Sequence, residues 1–126
     1  MREARRAVYW IASSREDLRA FPEDVKDVMG QALLAAQEGR KHPDAKPLHG
    51  FGGAGVLEII DDFDGDTYRT VSTVRLRSGI YVLHAFQKKS KRGRKTPEHE
   101  IDLIRRRLRA AEEQDAERMK GMGHHG

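Results

Sequence analysis

The spacing of apolar and polar residues divides the chain into seven elements. "AVYWI", residues 7–11, is β-branched and aromatic and stops at Ser13 and Ser14, which predicts a short first strand. Ser14 with Asp17 three residues later, followed by Pro22 where a first helical turn tolerates proline, predicts two helices, over residues 15–20 and 22–38. In the second, Val25, Val28, Met29, Ala32, Leu33 and Ala36 recur at helical spacing, and Gly39 supplies a stop. Such a stripe requires a sheet or another helix to cover it.

Residues 40–55, "RKHPDAKPLHGFGGAG", are rich in Gly and Pro and read as a connecting loop. Strands are predicted at 56–60, 67–76 and 80–88, and the short links "DDFDGD" and "RSG" favour antiparallel pairing of neighbours. Thr96 and Pro97 read as the N-cap and first residue of a last helix, with Glu98 and Glu100 suited to its positive end. Ile101, Ile104, Leu108 and Ala111 form its apolar stripe. The order β-α-α-β-β-β-α is that of an α+β domain whose helices pack on a mostly antiparallel sheet.

A chain of 126 residues has room for one main core, assigned here to residues 1–112, with residues 113–126 either extending the last helix or forming a tail. There is no cysteine, which excludes disulfides, thiolate-bound zinc and a cysteine nucleophile, and fits a cytoplasmic protein. No stretch approaches the roughly 20 apolar residues of a membrane span, so no membrane partner is expected.

The net charge of +4 matters less than its distribution. Residues 88–95, "KKSKRGRK", hold six Lys or Arg and no acid, whereas 58–66, "EIIDDFDGD", hold five acids and no base. Such segregation points to a polyanionic partner for one surface.

Candidate chemistry narrows to the same run. His42, His49, His84 and His99 lack paired ligand spacing, and His124 and His125 lie near the chain end, so no metal site is expected. "GFGGAG", residues 50–55, lacks the Lys-Ser/Thr of a phosphate-binding loop and precedes a strand, so it reads as a turn. Asp61 and Asp62 read as a solvated hairpin rather than an acid–base pair.

Lys88 and Lys89 close a strand, and Lys91, Arg92, Arg94 and Lys95 lead into a helix. Alternation places His84, Phe86 and Lys88 on one face, and Arg69, Val71, Thr73 and Arg75 on one face of the neighbouring strand. Paired, these faces bring Arg69 and Arg75 toward the basic end, and Phe86 offers a ring on which a base can stack. Cations with an aromatic platform suit single-stranded RNA. The residues alone leave open a second reading, a solvated basic turn with Phe86 in the core.

"KPLHGFGGAGVLEI", "DGDTYRTVSTV" and "YVLHAFQKKSKRGRKTP" before a final helix resemble, in that order, the phage-related HigB-like branch of the RelE/ParE toxin superfamily of bacterial type II toxin–antitoxin modules. The resemblance spans residues 7–112. It implies a small sheet with helices on one face, a basic concavity on the other, and a metal-independent, cofactor-free endoribonuclease acting on mRNA in the ribosomal A site.

By that resemblance Arg69, in "TYR", clamps phosphate, while Lys88, Lys89 and Lys91, in "QKKSK", stabilise charge and move protons. A lysine serves as base only where neighbouring cations or burial favour its neutral form. Arg75, Phe86, Arg92, Arg94 and Lys95 are the expected RNA contacts, with His84 an alternative proton carrier. Ser72 stands where many relatives carry an aromatic. The implied protein partner is a cognate antitoxin, commonly a small helix-turn-helix protein. Two other functions share these features: a ParE-like toxin of DNA gyrase without RNase activity, and a non-catalytic RNA-binding module.

Overall fold

The computed structural model describes residues 5–89 and 95–123. Its elements are β1 (Ala7–Trp10), α1 (Ser14–Arg19), α2 (Glu23–Gln37), β2 (Ala45–Pro47), β3 (Val56–Phe63), β4 (Asp66–Thr73), β5 (Gly79–Lys88) and α3 (Glu98–Gly123). They form an α+β domain around one five-stranded sheet of order β1-β5-β4-β3-β2. Every pairing is antiparallel except β1 with β5, which is parallel from Ala7–Gly79 to Trp10–Val82. A parallel pair needs a long crossover, here supplied by everything between β1 and β5.

Period-two alternation along β5 explains the two cores. Ile80, Val82 and Ala85 point to one face and meet Leu18, Phe21, Val25, Met29 and Leu33 from the α1–α2 region. Tyr81, Leu83 and Phe86 point to the other and meet Ile101, Ile104 and Ala111 of α3. The parity changes between Leu83 and Ala85 because the β4–β5 register slips between Val71 and Ser72. α1 and α2 therefore share a face, but α3 covers the opposite one, which corrects the expectation of helices on a single face. The cause is that β5 is apolar on both sides, so each side requires a cover.

Further boundaries were not given by the sequence reading. Residues 45–47, within the expected loop, add an edge strand to β3. The Pro97 carbonyl accepts the first helical bond of α3 from the Ile101 amide at 3.0 Å, so Pro97 rather than Thr96 occupies the cap position. α3 also runs unbroken to Gly123, about 39 Å at 1.5 Å per residue. Beyond Ala111 it stays on the sheet through Asp115, which accepts from the Ser78 amide at 2.7 Å, and Arg118, which donates to the Tyr81 hydroxyl at 3.0 Å.

Candidate functional site

β5 carries its last residue, Lys88, opposite Thr67 at the start of β4, and Thr67 in turn stands opposite Asp62 on β3. The basic run thus leaves the sheet at the end where the acidic β3–β4 hairpin turns, two strand spacings or about 10 Å away. The Lys88 ammonium donates to the Lys95 carbonyl at 3.2 Å, which brings the two described ends of the run together. Lys89 and Lys95 are exposed and Lys88 is half-buried. Lys91, Arg92 and Arg94, three of the expected site cations, lie outside the described residues.

Beneath this junction is a buried ion pair. Arg69 is 2% exposed and Glu58 6%. The Arg69 guanidinium donates to Glu58 Oε2 at 3.3 Å and to Thr96 Oγ1 at 3.1 Å, and the Thr96 hydroxyl donates to the same Glu58 oxygen at 2.7 Å. Thr96 thereby ties the entry of α3 to strands β3 and β4. Among the described residues Arg69 Nε has no partner, although a buried N–H ordinarily has one. Arg69 was expected to face substrate; in the structure it is enclosed and bonded to Thr96, which directly follows Lys95.

A second polar network sits beside the first, on the α3 face. Arg107 donates to His84 Nδ1 at 3.3 Å, to the Leu83 carbonyl at 3.0 Å and to Ser13 Oγ at 3.3 Å. His84 Nε2 lies 2.9 Å from Glu100 Oε1. Because a guanidinium only donates, Nδ1 must accept, so the proton sits on Nε2 and points at Glu100. His84 is thus held through both ring nitrogens, between Arg107 and Glu100. Burial lowers the Arg107 pKa from its ordinary value; the charges of Asp17 and Glu100 work against that and Arg106 reinforces it.

Two expected RNA contacts are placed elsewhere. Phe86 stacks on His84, with centroids 4.9 Å apart and planes 20° apart, and at 8% exposure belongs to the core over α3, not to an open stacking platform. Its strand is covered on both faces, which alternation along one strand does not disclose. Arg75 falls after β4 ends, at the side of the sheet opposite Lys88, and donates to the Gly53 carbonyl at 2.7 Å. Gly55, with φ of +72°, is obligatory there, since a Cβ would stand 2.3 Å from Arg75 Cγ.

Glu58 and Arg107 were not singled out from sequence, and Glu100 was read only as suited to the positive end of the last helix. One signal was present for Glu58, a lone acid in the apolar strand "VLEII", which once buried calls for a cation. Among the described residues no group of three or more His, Cys, Asp or Glu is placed to hold a metal ion. No described helix is long and apolar enough to cross a membrane.

The model of one family, phage derived protein Gp49-like (DUF891), matches residues 16–109, from within α1 to within α3 and across the whole β5–α3 junction. The chain belongs to the Gp49-like family. That family is RelE-like and toxin-like, from toxin–antitoxin systems, and it implies an antitoxin as partner. No curated protein and no solved structure matches this Gp49-like chain. The matched segment omits β1, yet β1 is an integral strand of the sheet.

Proposed function

We propose that this Gp49-like toxin is an mRNA endoribonuclease of the HigB-like branch, acting on the translating ribosome in the cytoplasm and held in check by a small helix-turn-helix antitoxin. The observation that carries the reading is the cationic junction: Lys88, Lys89 and Lys95 converge where β5 hands over to α3, over a buried arginine. Six Lys or Arg within residues 88–95 suit a polyphosphate backbone.

The reaction requires three things of such a surface. The ribose 2′-oxygen loses its proton and attacks the adjacent phosphorus, the phosphorus–5′-oxygen bond breaks, and the 5′-oxygen gains a proton. The products are a 2′,3′-cyclic phosphate and a 5′-hydroxyl. Ammonium groups of Lys88, Lys89 and Lys91 stabilise the added negative charge, and one lysine in its neutral form takes the 2′-proton. Arg92, Arg94 and Lys95 hold flanking phosphates. Arg69 serves as a positioning residue, through Thr96 and Glu58.

The test is 5′-end mapping of cellular transcripts shortly after induction, for the native chain and a Lys88→Ala/Lys89→Ala/Lys91→Ala variant. New 5′-hydroxyl ends in phase with codons, absent from the variant, are the expected result. Growth arrest without new ends overturns the reading and turns attention to DNA gyrase. RNA binding without any cleavage product points to a non-catalytic binding module.

A further inference from the structure

Beside the basic junction, on the α1–α2 face, lies a groove of about 490 Å³ lined by Asp17, Phe21, Pro22, Tyr68, Ala85 and Gln87, among others. It exists because β1 flanks β5 only from Gly79 to Val82, so among the described residues no strand lies beside the outer edge of β5 beyond that point. α1 packs along this open edge and leaves only a short stretch before the basic run begins. A niche so bounded is too short for an added strand, which needs several consecutive residues of free edge.

Its walls combine two kinds of surface. Phe21 and Tyr68, both buried, meet edge to face at 5.0 Å beneath the groove, and the half-buried Pro22 gives it an apolar wall. Gln87 donates to Asp66 Oδ2 at 2.6 Å, which fixes its amide and leaves its carbonyl oxygen able to accept. One oxygen of Asp17 accepts from Ser13 Oγ at 2.7 Å, and the carboxylate keeps further acceptor capacity. Gln87 immediately precedes Lys88, which alternation turns to the α3 side, and Lys89, so a nucleotide seated here rounds the open edge of β5 to reach the cations.

We infer that this groove is a nucleobase subsite, seating the base of a nucleotide whose phosphates are held by Lys88 and Lys89. The inference rests on the RNA reading above. A carboxylate repels phosphate and an apolar wall offers it nothing, whereas both suit a base: the ring packs on Pro22, over the buried rings of Phe21 and Tyr68, and its edge bonds to Asp17 and Gln87. Acceptors of this kind favour bases that carry an exocyclic amino group, namely adenine, cytosine and guanine, over uracil, which has none.

The experiment is binding of purified full-length protein to labelled homo-oligonucleotides of A, C and U at fixed salt, for the native chain, Asp17→Asn, Gln87→Ala and Lys88→Ala/Lys89→Ala. The native chain is expected to favour A and C over U by about fivefold or more. Asp17→Asn and Gln87→Ala should flatten that preference with the slope of affinity against salt unchanged, while the lysine variant should weaken all three oligonucleotides alike and reduce the slope. Circular dichroism shows whether each variant is folded, and Gln87→Ala, at an exposed position, serves if Asp17→Asn is not.

Binding that is indifferent to base, or a preference unchanged in both groove variants, overturns the subsite and leaves the RNA reading standing. No binding to any oligonucleotide overturns the subsite, while the RNA reading is decided separately by the 5′-end mapping. Loss of antitoxin binding in the groove variants, with base preference intact, assigns the groove to a protein partner and overturns the subsite as well.

Discussion

The Arg69 guanidinium and the Glu58 carboxylate meet at 3.3 Å on adjacent strands, both almost wholly enclosed, with the Thr96 hydroxyl bonded to each. A charge pair out of water is held together less by its own net gain than by the cost of separating it. Either member alone would be an unpaired ion in the core beneath the basic junction.

Removing one partner is therefore more harmful than removing both. Arg69→Ala and Glu58→Ala should each lower stability by about 3–5 kcal/mol, whereas Arg69→Met with Glu58→Leu should cost clearly less than the sum of the two. Urea unfolding midpoints of the four proteins check this, and additive losses would show that the two residues act independently. Loss of RNA cleavage in Arg69→Ala carries meaning only for protein shown to be folded.

Asp61 carries a charge that the fold opposes. Burial raises its pKa first, and the neighbouring charges of Asp44, Asp62 and Asp24 add to the effect. A carboxyl with a folded pKa above its unfolded value of about 3.9 contributes stability below that value and loses it as pH rises through the folded pKa. Asp61→Asn should therefore be more stable than the native chain at pH 7, with the advantage vanishing near pH 3. Thermal melts at the two pH values measure it.

Asp115 behaves in the opposite sense. Burial works to raise its pKa, but the Ser78 hydroxyl, the Ser78 and Arg77 amides and the Arg77 charge together bring it below the ordinary value. The contribution is present above about pH 3.9 and is lost as pH falls through the lower, folded pKa. Asp115→Asn should accordingly destabilise at neutral pH and show a shallower acid-unfolding limb than the native chain in a pH titration of the melting temperature.

Arg118 fastens the far half of α3 to the sheet. Its guanidinium lies 3.7 Å from the Tyr9 ring centroid and donates to the Tyr81 hydroxyl at 3.0 Å. Arg118→Lys keeps the charge but not the planar fork, so it should recover only part of a loss of about 1–2 kcal/mol caused by Arg118→Ala. Hydrogen exchange along α3 should report faster opening beyond Ala111 in both variants, and unchanged exchange would show that this anchor contributes little.

These contacts also explain what could be read from the chain and what could not. The α2 stripe from Val25 to Ala36 and the β3–β5 meander were legible because both depend on local periodicity and short turns. Pairing of β1 with β5 was not, since nothing in "AVYWI" specifies a partner beginning at Gly79. β2 was hidden because three residues bracketed by His42, Pro43 and the glycines carry no alternation. In the site, the basic run was visible as composition. Its support was not, because Glu58, Arg69 and Thr96 come from three separate segments, and His84 has partners 16 and 23 residues away on a helix. Phe86 was left between an open ring and a core one because strand alternation distinguishes two faces but not whether each is covered.

The parallel strand pair also governs when the fold can close. β1 must wait for β5, which begins 72 residues later (79 − 7), and the β5–α3 junction lies later still. Contacts of such long sequence separation form slowly and late, after the chain between them has been made. The β5–α3 junction is thus among the last parts of the fold to be completed, whatever acts on it meeting only a finished sheet.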